Sequence, residues 1–323
     1  MSRAGLEGRA FVAMLSSFAC AIPGIMATRT IPSAKDRIAT MLSAPLATCS
    51  ARLPVYVLLV GILVPAGSSL GPVSVRGLVL FGMYLLGALS AMLAARVVKK
   101  ITDRSGTLLP FYMEMPPYRI PTPRSVGMAM WEPTKAFLRK AGTIIMGATI
   151  VIWALTTFPL RSDAEMTAAG IDPSDEVAAT AYNMEHSAAA KVGKAIEPVF
   201  APQGFDWRVN ISLIGSMAAR EVAVSTLGQV ASASDPEDDV SVSESVQKWT
   251  YTDGPHQGEK VFTPDTTIAM LIFFAFALQC VATIGILKRE SGGWKWPAIA
   301  FGYMFVLAWV GSSLAAIITR VVM

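Results

Sequence analysis

Long apolar runs, separated by polar stretches, dominate the pattern of this chain. Five of the runs carry few charged residues and are about 20 residues long, which is the length a helix needs to cross the hydrocarbon core of a membrane. They lie at 53–71, 78–98, 141–160, 266–287 and 296–318. We therefore predict a membrane-spanning helix in each of them.

Two further apolar runs, 11–27 and 209–230, are interrupted by residues that disfavour a straight membrane helix. The interruptions are a proline–glycine pair in the first run and an Arg-Glu pair in the second: Pro23, Gly24, Arg220 and Glu221. Proline removes a backbone donor, glycine lets a helix unwind, and charged side chains inside a membrane usually face a bundle interior or a cavity. We predict that both runs are broken, the first at its proline–glycine pair.

Lysine and arginine in the polar stretches assign each run a side of the membrane. The stretches 28–52 and 99–140 are basic and are expected in the cytoplasm, whereas 161–208 and 231–264 are acidic and are expected outside. Each interrupted run then has both flanks on one side, so we predict two re-entrant elements. Hydropathy leaves one alternative open: both runs are ordinary membrane-spanning helices, and the lysine and arginine bias of their flanks does not report the true side of the membrane.

These assignments predict an all-α polytopic membrane protein built as an inverted repeat with broken, re-entrant helices. Inverted repeats whose broken helices meet near the midplane are a common construction of transporter sites. The first half is 1–98, followed by a cytoplasmic loop at 99–140, a linking span at 141–160, an external loop at 161–208 and the second half at 209–323, which contains an external loop at 231–264.

Composition excludes several classes of protein. Hydrophobic residues make up 53% of the chain and charged residues 15%, against about 25% charged in soluble domains. The net charge is +4, but the basic residues cluster beside apolar runs, so we expect a lipid bilayer and no nucleic acid as a partner. The histidines, His186 and His256, lie in the external loops, and no P-loop motif occurs, so we expect no enzyme and no GTP binding by this chain itself.

The residues that could carry chemistry are the cysteines and the polar residues of the interrupted runs. Thiolate, thioether, carboxylate and carbonyl groups suit a borderline cation such as Fe²⁺, and a transport site must release its ion. The predicted transient metal contacts are Cys20, Cys49, Cys280 and Glu221, and the predicted gate and pore residues are Pro23, Gly24, Met26, Ser216, Met217 and Arg220. The alternatives are small buried cysteines, a kinked helix and a structural Arg-Glu pair.

Several ordered motifs resemble one family of transporters. The motifs are LSSFACAIPGIMATR at 15–29, SARLPVY at 50–56, EMPPYR at 114–119, KAGT at 140–143, IEPVFAP at 196–202, GFDW at 204–207 and AAREV at 218–222. They are similar, in order and along nearly the whole chain, to the membrane region of bacterial ferrous iron transport protein B, the FeoB family. The segments at 15–29 and 218–222 resemble its two Gate motifs.

The resemblance implies two Gate-type halves and import of Fe²⁺ across the bacterial inner membrane. It also implies a cytoplasmic GTPase part and a small FeoA-like protein as partners, so that GTP acts only through a separate or missing G domain. No permanently bound cofactor is expected, and the possibility of a homo-oligomer stays open. The alternatives are a truncated remnant that does not transport and a Gate-fold transporter of another solute, such as a nucleoside.

Overall fold

The computed structural model describes residues 8–65, 67–102, 122–159, 162–168, 170, 176–217, 220, 222–231, 239–251 and 257–322. These residues form fifteen α-helices. In chain order the helices are α1 (Ala10–Ala19), α2 (Ala21–Ala27), α3 (Ala34–Ser43), α4 (Leu53–Leu63), α5 (Val75–Thr102), α6 (Pro123–Thr157), α7 (Asp163–Ala168), α8 (Glu176–Glu185), α9 (Ala188–Phe200), α10 (Trp207–Gly215), α11 (Val222–Val230), α12 (Asp239–Val246), α13 (Pro264–Phe276), α14 (Val281–Ser291) and α15 (Lys295–Val322).

Four helical segments in the described part are long and apolar enough to cross a membrane. They are Ala34–Leu63, Val75–Thr102, Pro264–Ser291 and Lys295–Val322. Large apolar side chains on α5 and α15, such as Phe81, Leu93 and Val306, are more than half exposed, as lipid-facing side chains would be. The predicted all-α membrane class is therefore confirmed, and the described strands are two short ones, β1 (Ser69–Leu70) and β2 (Val73–Ser74), which pair antiparallel between α4 and α5.

Two of these four segments are not continuous helices. Ala34–Leu63 is interrupted between α3 and α4, and Pro264–Ser291 is interrupted between α13 and α14, where Ala277 and Cys280 have extended backbone. We predicted a span at 53–71 and a clean span at 266–287. Helix α4 begins at the predicted Leu53 but ends at Leu63, and the second span is broken in its middle, because apolar composition does not report where a helix stops.

The two interrupted runs form pairs of short helices that pack against each other: α1 with α2, and α10 with α11. In the first pair the chain unwinds at Cys20, which has φ −157° and ψ 137°, not at Pro23–Gly24 as predicted. Pro23 lies in the first turn of α2, where its missing N–H has no intrahelical partner to lose. Gly24 instead allows α1 and α2 to pack closely, because a Cβ at this position would lie only 2.9 Å from the Ala13 carbonyl oxygen.

The predicted loops contain more helix than expected. Helix α5 continues to Thr102 and α6 begins at Pro123, so much of the described part of 99–140 is helical; residues 103–121, which include the EMPPYR motif, lie outside the described residues. Helix α6 also covers the predicted linking span as far as Thr157. The alanine-rich stretch 161–208 forms α7, α8 and α9, as expected from the high helix propensity of alanine.

The buried apolar side chains form two main clusters that meet at the helix breaks. One cluster contains Phe205, Phe274 and Ala277, and the other contains Ile25, Leu278 and Met304. Ala277 and Leu278 are neighbours in the second break, so the border between the clusters runs through it. The breaks therefore lie in a layer between two apolar regions.

Ion pairs at one end of the bundle show which helix ends lie together. Lys99 Nζ is 2.9 Å from Asp36 Oδ1, which joins the end of α5 to the start of α3. Arg37 Nη2 is 3.1 Å from Glu290 Oε2, which brings the end of α14 to the same place. We call this the Glu290 end.

A second ion pair marks the opposite end. Arg320 Nε is 2.6 Å from Asp265 Oδ2, which joins the end of α15 to the start of α13. Arg76, at the start of α5, donates a 2.8 Å hydrogen bond to the carbonyl of Val64, which follows α4. We call this the Asp265 end.

Candidate functional site

The tip of the first helix pair contacts the first helix break. Cys20 separates α1 from α2, and the residue before it, Ala19, accepts a 2.8 Å hydrogen bond on its carbonyl from Ser50 Oγ. Ser50 follows Cys49, which is 8% exposed and has extended backbone. Cys20 and Cys49 therefore each lie at an interruption of the helical backbone. One hydrogen bond joins the two segments that contain them.

An arginine occupies the first helix break. Arg52 is fully buried and donates hydrogen bonds of 3.2, 3.4 and 3.3 Å to the carbonyls of Leu46, Ala47 and Pro45. These carbonyls lie between α3 and α4, where a continuous helix would have supplied backbone donors. The guanidinium therefore replaces the missing intrahelical donors.

The turn between α10 and α11 contacts the second helix break in a similar way. Met217 accepts a 3.0 Å hydrogen bond on its carbonyl from the N–H of Val281, and Arg220 Nη2 donates a 3.2 Å bond to the carbonyl of Ala277. Arg220 is 5% exposed. Cys280, the third predicted thiol, immediately precedes Val281 and is half-buried.

The three thiols come together although they lie on separate segments. Cys20 and Cys280 both pack against the apolar cluster that contains Ile25 and Leu278, and the Ser50 hydroxyl beside Cys49 is bonded to the Ala19 carbonyl beside Cys20. Within the described ranges, no group of three or more His, Cys, Asp or Glu residues is arranged so that it could hold a metal ion. The thiols are therefore separate soft ligands in the layer between the two apolar clusters. They do not form a closed tetrahedral metal site.

The other predicted residues have different surroundings. Ser216 is buried, and its Oγ donates a 2.6 Å bond to the Leu213 carbonyl, so it closes its own helix turn. Met26 packs against the apolar cluster that contains Ile25. Glu221 lies outside the described residues.

Sequence reasoning missed two buried polar residues in the breaks, Arg52 and Gln279. Gln279 is 5% exposed, and neither of its buried amide atoms has a hydrogen-bond partner among the residues that the structure describes. It lines a cavity of about 340 Å³ whose other lining residues are apolar, among them Met217 and Phe305. Arg52 was classed with the charges of a cytoplasmic connection, and its place between two prolines, Pro45 and Pro54, was the available signal for a break.

Comparisons with known proteins identify the family. The family model described as Nucleoside recognition, named Gate, matches residues 1–63 and 138–294, which is more than half of the chain. The model described as Ferrous iron transport protein B C terminus matches residues 80–132. No solved structure matches the chain.

Several relatives match almost the whole chain. A fusion protein of Fe(2+) transport protein A and Fe(2+) transporter FeoB from Porphyromonas gingivalis is 40% identical over 97% of this chain and 38% of its own length. Fe(2+) transporter FeoB of Leptospira interrogans is 39% identical, covering 96% of this chain and 43% of the relative. That of Methanocaldococcus jannaschii is 34% identical, covering 98% and 42%. The chain thus spans less than half the length of these relatives.

Proposed function

Since the chain belongs to the Gate family and matches the C-terminal membrane region of FeoB transporters, we propose that it is the permease part of a ferrous iron transporter. It would carry Fe²⁺ across the bacterial inner membrane as a multi-pass protein. The observation that carries this proposal is the position of Cys20, Cys49 and Cys280 on segments that contact one another in the layer between the two apolar clusters. Each thiol lies at an interruption of a helix, where unwound backbone also offers carbonyl oxygens.

The chemistry of this layer suits an ion in passage. Thiol and carbonyl groups accept a borderline cation such as Fe²⁺, and scattered ligands favour release over tight retention. The guanidinium of Arg220, which donates a hydrogen bond to Ala277 in the second break, adds positive charge that opposes prolonged cation binding. We assign Glu221, Met26, Met217 and Ser216 to the same path as transient contacts or gate residues.

The two halves are proposed to be an inverted repeat. Each half contains a pair of short helices, a broken helix and a 28-residue helix in the same order: α1 to α5 in the first and α10 to α15 in the second, where α12 is an insertion. By the ion pairs of the Glu290 and Asp265 ends, α5 and α15 run in opposite directions, and so do the two broken helices. This directional difference supports the inverted relationship.

The helix pairs α1–α2 and α10–α11 are proposed to be re-entrant hairpins entering from opposite sides. Arg9, before α1, donates a 3.3 Å hydrogen bond to Thr30, after α2, so both ends of the first pair lie together. Arg29, beside Thr30, binds Glu290, which supports entry from the Glu290 end. Gly204, before α10, lies beside Arg320, which supports entry of the second pair from the Asp265 end.

Partners and energy supply are part of the same proposal. Transport would need a GTPase part, as the FeoB resemblance implies, with a small FeoA-like protein; the name of the Porphyromonas gingivalis relative contains both transport protein A and FeoB. The Gate model is described as nucleoside recognition, yet the relatives along nearly the whole chain are named Fe(2+) transporters. Iron is therefore favoured over a nucleoside as the solute.

Fe²⁺ uptake by cells that produce the chain together with a GTPase part tests the proposal. Replacing Cys20, Cys49 or Cys280 by serine is expected to lower the uptake rate about tenfold or more, which corresponds to about 1.4 kcal/mol of lost ion stabilisation. The matched control is Met92→Leu, which changes a sulfur-containing side chain that is 40% exposed on α5 and should leave uptake unchanged. Unaltered uptake in all three serine variants, at equal protein levels, would contradict the assignment.

A further inference from the structure

One buried carboxylate connects the two halves at the Glu290 end. Arg29 Nε donates a 2.8 Å hydrogen bond to Glu290 Oε2, and Arg29 Nη2 donates to Oε1, so the pair is bidentate. Arg37 Nη2 adds bonds of 3.1 Å to Oε2 and 3.0 Å to the backbone carbonyl of Glu290. The Glu290 side chain is 5% exposed. The Arg29 side chain is half exposed, so water screens the pair in part, but its bidentate geometry and the second arginine make it stronger than an ordinary surface ion pair.

The elements that this carboxylate joins also border the thiols. Helix α2 begins directly after Cys20 and runs to the turn that holds Arg29, while α14 begins directly after Cys280 and holds Glu290 near its end. The two helices are in contact. The strip between them therefore has thiols at one end and the ion-paired cluster at the other.

The strip between α2 and α14 is closed by apolar packing. Ile22 and Ile25 from α2 belong to the same buried cluster as Ala282 and Ile286 from α14. The described strip from the thiols to the Glu290 end is therefore packed mainly by apolar side chains. An ion that leaves the thiols in this direction requires the two helices to separate, and separation requires the arginines to release Glu290.

We propose that Arg29, Arg37 and Glu290 form a latch that closes the path between the thiols and the Glu290 end. The charge bias assigns this end to the cytoplasm, so the structure would be the state closed toward the cytoplasm. This inference rests on the proposed function for the direction of transport, and it adds the regulation of the same path. Breaking the latch opens the strip and exposes Cys20 and Cys280 to water from that side.

Thiol labelling tests the latch without any transported ion. Variants that keep only Cys20 or only Cys280 are placed in inside-out membrane vesicles and treated with a membrane-impermeant maleimide. Glu290→Gln keeps the size of the side chain and removes its charge. We expect it to raise the labelling rate of both thiols about tenfold, which corresponds to a shift of about 1.4 kcal/mol between closed and open states.

The matched control is Asp265→Asn, which removes the carboxylate of the ion pair with Arg320 at the opposite end. It should leave labelling from the cytoplasmic face unchanged. Unchanged labelling in Glu290→Gln overturns the latch, and so does an equal rise in Glu290→Gln and Asp265→Asn, which would indicate general loosening. If Glu290→Gln does not accumulate, Arg29→Gln replaces it. Since Arg37 still pairs with Glu290 in that variant, a smaller but measurable rise is expected, and no rise overturns the latch.

The labelling result and the uptake result are independent. A wild-type chain that takes up no Fe²⁺ together with a GTPase part would contradict the proposed function while leaving the labelling difference intact. A wild-type chain that transports Fe²⁺ but shows no effect of Glu290→Gln on labelling would contradict the latch alone.

Discussion

Both broken membrane helices use an arginine to satisfy backbone carbonyls, but the arginine comes from a different place in each. At the first break, Arg52 lies in the same segment as the carbonyls it binds and donates three hydrogen bonds. At the second break, Arg220 comes from the turn between α10 and α11 and donates one bond, to Ala277. The first break is therefore held within one segment, whereas the second depends on a contact between two elements.

This difference has consequences for stability and for movement. A buried hydrogen bond to a charged group contributes about 1.5–3 kcal/mol, so the first break has the stronger local support. The second break loses its arginine whenever the α10–α11 turn moves away from Ala277. A rearrangement during the proposed transport would accordingly be easier to couple to the second break. Three substitutions test this contrast, from the largest expected effect to the smallest.

Arg52→Ala should reduce the free energy of unfolding most. Three buried carbonyls would lose their donor, at about 1–3 kcal/mol each, so we expect a loss of at least about 3 kcal/mol. Thermal unfolding in detergent micelles, followed by circular dichroism, measures it. The control is Arg76→Ala, because Arg76 also donates to backbone carbonyls after α4 but is only partly buried. Water can replace Arg76 as the donor to these carbonyls, so a smaller loss is expected. Equal losses in both variants would show that burial of the arginine does not determine the size of the effect.

Gly24→Ala should destabilise the first helix pair by about 1–3 kcal/mol, the usual range for overpacking. The new Cβ would lie 1.9 Å from Ser17 Oγ and 2.9 Å from the Ala13 carbonyl oxygen, which cannot rotate away. Gly215→Ala in the second pair meets mainly the Thr226 side chain, at 2.8 Å, and should be milder. The same unfolding measurement compares the two variants, and a larger loss for Gly215→Ala would show that the second helix pair is packed more tightly than the first.

Arg220→Gln should have the smallest effect on stability, about 1.5 kcal/mol, because one hydrogen bond to Ala277 is lost and Nη1 has no hydrogen-bond partner among the described residues. Its effect on Fe²⁺ uptake should nevertheless exceed that of Gly215→Ala when both are compared at equal protein levels. Arg220→Lys, which keeps the charge, is the control and should retain more uptake. A stability loss as large as that of Arg52→Ala would remove the contrast between the two breaks.

Much of the fold was predictable because apolar length and polar interruptions are local properties of a sequence. The membrane class was predicted correctly, and the interrupted runs 11–27 and 209–230 do form pairs of short helices. The position of the first break was wrong, since proline in the first turn of a helix is tolerated. The break at 277–280 was missed entirely, because Ala-Leu-Gln-Cys contains no residue that disfavours a helix strongly.

The candidate site was predictable only in part. Cysteines in apolar surroundings were visible from the sequence, and their assignment as metal contacts stays a prediction. Arg52 was missed because the residues next to it in the sequence do not show whether an arginine is buried among apolar side chains or lies in an exposed loop. Glu290 was missed for a related reason, since its partners Arg29 and Arg37 are more than 250 residues away in the chain.

The sequence alone determined that this chain lies in a membrane, that two of its apolar runs are discontinuous and that soft ligands are available. The tertiary structure decided where the other helices break and which side chains meet there. The physical reason is that an apolar segment satisfies its own backbone only as a continuous helix. A break is stable only where another group, such as Arg52, Arg220 or the carbonyl of Met217, supplies the missing hydrogen bonds.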